Sequence, residues 1–211
     1  MLANPSQTAS KREFVSKMKI KYSTVAAFNT AWNLNLSDFD DLNQPIYHAC
    51  LLSETAKKDL VEFSKEMITI YVQIPAKACR EIDKNHLNMG MRYAYITDTS
   101  LLSGYENFDL FSINSYQFSP FKEVEDLGEL LHMPVVVGEF HQGALDKGLT
   151  AHGIKGVATQ ADRGKAYRYY VEQASLSKYF LGAHYFQLND QSCLGRFDGE
   201  NYQIGFLDEI G

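Results

Sequence analysis

The chain has 211 residues, of which 45% are hydrophobic, 13% aromatic and 22% charged. This size and composition suit one folded domain of ordinary size and exclude a compositionally disordered chain. The formal net charge is −6 with both signs interspersed, so the basic stripe that a nucleic-acid-binding protein needs is missing and we predict no nucleic-acid partner.

The sequence also argues against a membrane partner and a metal-binding cysteine motif. Residues 1–5 lack the basic and apolar regions of a signal peptide, and no apolar run approaches the ~20 residues that a membrane helix needs. Cys50, Cys79 and Cys193 are far apart and form no CxxC pair, which disfavours a thiolate zinc site and a disulfide framework. We predict no cofactor.

The first part of the chain has the pattern of helices. Residues 10–13, Ser-Lys-Arg-Glu, have the form of a capping box, and apolar residues then recur at three- and four-residue steps over 14–32, which predicts one helical face. A loop is predicted over 33–52. A second long helix follows Ser53, and Pro75 should kink it. Its predicted apolar stripe comprises Leu60, Phe63, Met67, Ile70, Ile74 and Ala78.

The rest of the chain alternates short apolar runs with helical stretches. The runs over 87–93, 109–115, 134–140 and 180–187 predict buried strands. Helices are predicted near 121–131 and from Thr159, which caps with Asp162 at the third helical position, to about Ala174. This alternation is typical of a parallel sheet with crossover helices. Because a complete eight-stranded α/β barrel takes about 250 residues, four strands predict either a small open α/β domain or an incomplete barrel.

Glu139 ends the third predicted strand and is the first candidate for chemistry. A carboxylate at the carboxyl end of a strand in a parallel α/β barrel opens into the catalytic mouth. Gly138 allows close approach of backbone or ligand, and in extended chain His141 would point to the same side as Glu139. The alternative is a solvated glutamate at a strand end, paired with a lysine.

Over 182–191 the fourth strand runs straight into a second polar concentration. Its amides and carboxylate suit hydroxyl-rich ligands, although Asn and Asp also close polar turns. Asp198 and Gly199 predict a hairpin turn. Tyr116, at the end of the second strand, either orients a carboxylate through its phenol or is a core aromatic. A metal site is not predicted, because the candidate ligands match no tight spacing motif: Glu139, His141, His184 and Asp190.

Five segments in chain order carry a family resemblance. They are FVSKMKIKYSTVAAFNTAW (14–32), NHLNMGMRYA (85–94), FDLFSINSY (108–116), PVVVGEFHQGALDKG (134–148), and GAHYFQLNDQ with GRFDGENYQIGFLD (182–191 and 195–208). Together they resemble the glycoside hydrolases of clan A, most closely the β-agarase family 50 and its β-galactosidase-like relatives. The resemblance implies an α/β fold, a partial (β/α)8 TIM barrel with strands five to eight and the preceding helices. Residues 1–211 would form one partial catalytic domain, truncated at both ends.

The resemblance also implies a retaining mechanism on a galactose-containing polysaccharide or oligosaccharide. One glutamate attacks the anomeric carbon, and a second protonates the leaving oxygen and then activates water. The nucleophile maps onto Glu139, and Tyr116 maps onto a tyrosine that hydrogen-bonds it. Tyr185 stands in place of a tryptophan that stacks under the sugar. The implied substrate-binding residues are Tyr116, His141, His184, Tyr185, Gln187, Asp190 and Gln191.

The acid/base glutamate of the family has no match in this sequence. It should follow an asparagine just before the first helix, and no glutamate follows Asn4 within 2–8. We therefore expect the chain alone to be an incomplete enzyme. Two alternatives stay open: a non-catalytic barrel remnant that binds carbohydrate or a partner protein, and a homodimer or complementing half-barrel that covers the sheet edges. Full-length relatives are expected to be secreted or periplasmic.

Overall fold

A computed structural model describes residues 1–210 of the chain, apart from the side chain of Ala49. The chain divides into two compact units, Met1–Ile68 and Thr69–Gly211, and each contains a hydrophobic cluster of its own. Within the described residues, no helix is long and apolar enough to cross a membrane.

The first unit is helical. It contains α1 (Ala9–Tyr22), α2 (Val25–Trp32) and the beginning of α3 (Glu54–Ile82). Its core is aromatic: the rings of Phe14 and Phe28 lie 5.6 Å and 4.8 Å from that of Trp32. The indole nitrogen of Trp32 donates to the buried carboxylate of Asp59 at 2.8 Å, so the one polar atom of this ring is satisfied inside the core.

Two helices replace the single helix predicted over 14–32. The chain turns at Ser23, whose φ is +60°, and Thr24 caps α2 by accepting a hydrogen bond from the backbone nitrogen of Ala27 at 3.2 Å. The capping box predicted over 10–13 is wrong. α1 begins at Ala9, so these residues already lie inside the helix, and the preceding residue makes no side-chain cap.

The helix predicted after Ser53 is confirmed as α3, which continues through Pro75 to its end. Of its predicted apolar stripe, Phe63 is buried and Leu60 half-buried, whereas Met67 is 41% exposed. Ile70 and Ile74 are 48% and 65% exposed, whereas Val72 and Ala76 are buried. Two positions correspond to about 200° of rotation, so the buried face in the second half lies opposite the predicted one.

A four-stranded parallel sheet forms the centre of the second unit. Its strands are β1 (Arg92–Tyr93), β2 (Phe111–Asn114), β3 (Val135–Phe140) and β6 (Phe180–Tyr185), paired in that order. A two-stranded sheet of β4 (Gly143–Ala144) and β5 (Gly156–Val157) accompanies it. The four strands and their parallel arrangement are confirmed, although the first predicted run, 87–93, pairs over only two residues.

The two predicted crossover helices are confirmed as α4 (Phe121–Leu131) and α5 (Gln160–Ala174). The hydroxyl oxygen of Thr159 caps α5 by accepting from the backbone nitrogen of Asp162 at 3.1 Å, as the sequence predicts. Buried side chains of α4, α5 and the sheet form one apolar cluster, which includes Leu127, Val137 and Tyr170. This cluster fixes one face of the sheet against the helices.

The opposite face of the sheet is polar where β1, β2 and β3 lie side by side. A methyl group at Gly138 would lie 2.4 Å from the Ser112 hydroxyl and 2.7 Å from the Arg92 side chain. These two side chains therefore cross over Gly138 on the face away from the helices. The glycine is required because its neighbours occupy the space that a side chain would fill.

Candidate active site

A register shift in β3 brings Glu139 to the polar face of the sheet. Ile113 of β2 pairs with Val137, but the next residue, Asn114, pairs with Glu139, so Gly138 is an extra residue in the ladder. In strict alternation Glu139 would share the face of Val137, which belongs to the apolar cluster. The extra residue turns Glu139 to the face of Asn114 and places Phe140 on the face that carries the apolar cluster.

Both carboxylate oxygens of Glu139 are held by neighbouring side chains. The hydroxyl of Tyr116 donates to Oε1, and Nη2 of Arg92 lies 3.1 Å from Oε2. The Glu139 side chain is 14% exposed. Burial, followed by the hydrogen bond to Glu139, raises the pKa of Tyr116, so its phenol stays protonated as the donor. The partner of the glutamate is thus an arginine and a tyrosine, not the lysine of the alternative interpretation.

His141 lies in the wall beside this carboxylate and is 2% exposed. Its Nε2 accepts a hydrogen bond from the backbone nitrogen of Ile154 at 2.9 Å, and its ring lies 4.8 Å from that of Tyr116 in an edge-to-face contact. Burial, with smaller contributions from Arg163 and His152, lowers the pKa of His141 to about 4. The imidazole is therefore neutral at physiological pH.

Glu139 opens into a cleft of about 350 Å³, near the lower end of the roughly 300–1,000 Å³ of small-molecule sites. Its lining combines aromatic, amide, acidic and basic side chains: Arg92, Ala94, Tyr95, Asn114, Tyr116, Glu139, His141, Ile154, Phe186, Arg196, Glu200 and Tyr202. Aromatic faces together with alternating donors and acceptors suit a sugar, which has apolar ring faces and many hydroxyl groups.

Tyr116 and His141 thus line the cleft with Glu139, but Tyr185 does not. Its hydroxyl donates to the backbone oxygen of Gln142 at 2.8 Å, and its ring stacks on Phe206 at 4.4 Å, on the side that faces α5. The tyrosine expected to stack under a sugar therefore belongs to the packing behind the cleft. Phe186, the next residue, lines the cleft instead.

The other substrate-binding residues predicted near β6 also lie outside the cleft lining. His184 is exposed on β6, and Gln187 donates to the backbone oxygen of Asn189 at 3.0 Å. Oδ1 of Asp190 accepts from the backbone nitrogen of Gly205 at 2.7 Å. Asp190 and its neighbours therefore organise the loop that follows β6 rather than line the cleft.

Gln191 has an indirect connection to the cleft. It is 2% exposed; its Nε2 donates to Glu200 at 2.9 Å, and its Oε1 accepts from the backbone nitrogen of Tyr202 at 2.7 Å. Both partners line the cleft. The turn predicted at Asp198 and Gly199 forms just before Glu200, closed by a bond from the Gly199 nitrogen to the backbone oxygen of Arg196 at 2.9 Å.

Nine of the twelve lining residues were not predicted as site residues, among them Arg92, Asn114, Phe186 and Glu200. Arg92 and Asn114 end or nearly end predicted strands, so the rule that strand ends face a barrel mouth could have found them. Glu200 lies far along a loop, 3.3 Å from Arg196, and no local pattern distinguishes it from a solvated charge. Within the described residues, no group of three or more His, Cys, Asp or Glu side chains could hold a metal ion.

The second unit has a parallel α/β sheet, and a carboxylate at a strand end accepts hydrogen bonds and opens into an aromatic and polar cleft. This combination is typical of barrel hydrolases that act on sugars. The family model of glycoside hydrolase 42, described as beta-galactosidase, matches residues 5–147. The chain belongs to this glycoside hydrolase family.

Two curated relatives come from Vibrio sp. (strain JT0107). Beta-agarase B is 31% identical over 206 residues, which cover 95% of this chain and 22% of that protein. Beta-agarase A is 30% identical over 191 residues, which cover 87% of this chain and 19% of that protein. The chain therefore spans about a fifth of the length of these relatives.

Solved structures of agarases have the same fold. An exo-beta-agarase is 32% identical with a TM-score of 0.88 and is matched over 98% of this chain and 29% of its own. The agarase AgWH50C is 30% identical with a TM-score of 0.85, and the match covers 98% of this chain and 30% of the agarase chain. A beta-galactosidase from the haloarchaeon Halorubrum lacusprofundi, 15% identical with a TM-score of 0.61 over 95% and 32%, shares the fold.

Proposed function

We propose that this chain carries the nucleophile half of a retaining glycoside hydrolase of β-agarase or β-galactosidase type, which acts on galactose-containing polysaccharide or oligosaccharide. The observation that carries the proposal is the setting of Glu139, whose two oxygens are held by Tyr116 and Arg92 at the floor of the cleft. The names of the agarase relatives support the choice of substrate.

In this mechanism Glu139 attacks the anomeric carbon and forms a glycosyl-enzyme ester, while the bond to the leaving oxygen breaks. Arg92 and Tyr116 keep the carboxylate in one orientation, which lowers the cost of reaching the attack geometry. The second step returns the carboxylate when water attacks the same carbon. His141, Asn114 and Phe186 are the proposed substrate contacts, because they line the cleft with Glu139.

We further propose that β1, β2, β3 and β6 correspond to strands five to eight of an eight-stranded barrel and that residues 1–211 belong to one such domain. The remaining strands of such a barrel, in the same polypeptide, a complementing half-barrel or a second copy, would cover the open sheet edges. No residue of this chain is assigned as the acid/base. Because general-acid help contributes about 10²–10⁴ in rate, we expect little turnover of natural substrate by the chain alone.

A mechanism-based label tests the nucleophile without needing the acid. The leaving group of 2,4-dinitrophenyl 2-deoxy-2-fluoro-β-galactoside departs unprotonated, so a competent nucleophile forms a glycosyl-enzyme that accumulates. We expect intact-mass spectrometry to show one fluorogalactosyl adduct, and peptide mapping to place it on Glu139. Glu139→Gln should remain unlabelled.

Glu200→Gln is the matched control, since Glu200 is the other carboxylate in the cleft lining and its replacement should leave the label on Glu139. An adduct on Glu200, or on the Glu139→Gln variant, would contradict the assignment. Binding of agaro-oligosaccharides without any labelling would favour the second candidate, a barrel remnant that binds carbohydrate but does not hydrolyse it. Hydrolysis of agaro-oligosaccharides by the chain would show that the acid/base lies within the chain or a second copy.

A further inference from the structure

Two polar atoms in the cleft wall beside Glu139 have no partner in the described residues. Oδ1 of Asn114 and Nδ1 of His141 are buried, and neither makes a hydrogen bond. Most buried polar groups in proteins are paired, and an unsatisfied one costs about 1–3 kcal/mol. Both residues line the same cleft. Asn114 is the register partner of Glu139, and His141 follows Glu139 by two residues.

The hydrogen-bond role of each atom is defined. The backbone nitrogen of Ile154 donates to Nε2 of His141 at 2.9 Å, so Nε2 is the acceptor nitrogen of the ring. In the neutral imidazole the proton is then on Nδ1, which is a donor. Oδ1 of Asn114 can only accept. These two cleft-lining residues therefore carry one unpaired acceptor and one unpaired donor, and both atoms are buried.

The His141 ring is held so that its orientation is fixed. A Cβ at Gly153 would lie 2.4 Å from Nε2, so this glycine is required for the close approach of the 152–154 segment to the ring. On the other side the ring meets Tyr116 edge-to-face at 4.8 Å. Burial, which lowers the pKa of His141 to about 4, keeps the ring neutral across the range in which sugar binding would be measured. Nδ1 is thus a permanent, oriented donor.

We propose that Asn114 and His141 recognise hydroxyl groups of the sugar that Glu139 attacks: Asn114 Oδ1 accepts from a sugar hydroxyl, and His141 Nδ1–H donates to a sugar hydroxyl oxygen. This inference rests on the proposed function and deepens it, because it names the groups that select the sugar. Hydroxyls can satisfy both atoms, since each hydroxyl donates one hydrogen bond and accepts up to two. A carboxylate or phosphate ligand could satisfy only the imidazole donor and would leave the Asn114 acceptor unpaired.

Binding of methyl β-galactoside and its monodeoxy analogues, measured by calorimetry or ligand-observed NMR on the full chain, tests the proposal. His141→Gln keeps a polar atom near the Nε2 position for Ile154 but has no donor at the Nδ1 position. His141→Asn keeps an amide donor near the Nδ1 position but has no polar atom near the Nε2 position for Ile154. We expect His141→Gln to bind the galactoside about tenfold more weakly, the size of one net hydrogen bond, and His141→Asn to recover part of that loss.

The monodeoxy series identifies the hydroxyl. The analogue that lacks the hydroxyl bound by His141 should bind wild type about tenfold more weakly than the parent, and should show no further loss in His141→Gln. Asn114→Leu should behave in the same way toward the analogue that lacks its hydroxyl, whereas Asn114→Asp keeps an acceptor and should retain binding. His132→Gln is the matched histidine control, because His132 is exposed at the end of α4.

Two results would overturn the proposal, and they differ from each other. If wild type binds no galactoside or agaro-oligosaccharide at all, the proposed function fails and this inference fails with it. If wild type binds, but His141→Gln and Asn114→Leu bind every analogue as wild type does, the function stands and the two residues have no role in recognition. Thermal unfolding of each variant shows whether a loss of binding follows from a loss of fold.

Discussion

Arg163 holds the loop after β6 in place, and replacing it should loosen one wall of the cleft. It lies on α5 and is 8% exposed. Its guanidinium donates to the backbone oxygens of Ile204, at 2.6 Å, and Gly205, and to the hydroxyl of Tyr185 at 3.2 Å. Arg163→Met keeps most of the aliphatic stem but leaves two buried carbonyl groups without a donor. At about 1–3 kcal/mol for each unsatisfied group, we expect a loss of about 2–6 kcal/mol in the free energy of unfolding.

Urea unfolding measures that loss, and amide hydrogen exchange localises it. The backbone nitrogen of Gly205 is bonded to Asp190 at 2.7 Å, so its exchange should accelerate if the loop opens locally. Arg168→Met is the matched control on the same helix. Arg168 is 79% exposed and pairs with Glu172 at 2.6 Å, so its replacement should leave the free energy of unfolding nearly unchanged. Equal losses in the two variants, with unchanged exchange at Gly205, would refute the anchoring role of Arg163.

Two further predictions concern the residues on either side of the nucleophile. Burial lowers the pKa of His141 from 6.5 to about 4, so between these values the unfolded chain binds a proton that the folded chain does not. The stabilisation from the neutral imidazole is complete above about pH 6.5 and is lost as the pH falls toward 4. Between about pH 7 and 4, the free energy of unfolding of wild type, measured by urea titration, should therefore fall by on the order of 3 kcal/mol more than that of His141→Gln. Parallel pH profiles of the two proteins would contradict this. Gly138→Ala places a methyl group 2.7 Å from the Arg92 side chain and should displace that side chain from Glu139. We expect fluoroglycoside labelling to slow at least tenfold. Gly182→Ala is the control, because its methyl group would have no atom within 4 Å, and it should be labelled as wild type is.

The helices and strands of the second unit could largely be predicted from local patterns. α4 coincides with the predicted range 121–131, and α5 begins after the Thr159 cap as expected. Such elements have strong local signals, namely a cap, an amphipathic period or an apolar run. The helical face of α3 was predicted only in part. Hydrophobic residues at Ile70 and Ile74 fit the helical period, but which face becomes buried depends on what packs against it.

The candidate site was predictable where it depends on strand ends. Glu139 lies at the end of one predicted strand and Tyr116 directly follows another, and the structure brings them into contact. The family resemblance implied that Tyr185 and Asp190 contact substrate, whereas in the structure they form the packing and the loop behind the cleft. A polar residue near a site can bind ligand or hold backbone, and the sequence does not distinguish these roles, because both use the same donors and acceptors.

The sequence by itself determined the family, the order of strands and helices, and the identity of the strand-end carboxylate. These features depend on neighbours along the chain. Only the tertiary structure decided which way that carboxylate points. The extra residue at Gly138 reverses the alternation of β3 and turns Glu139 from the apolar face to Tyr116 and Arg92. A one-residue register shift moves a side chain to the other face of a sheet, and it depends on pairing with β2, a strand more than twenty residues away.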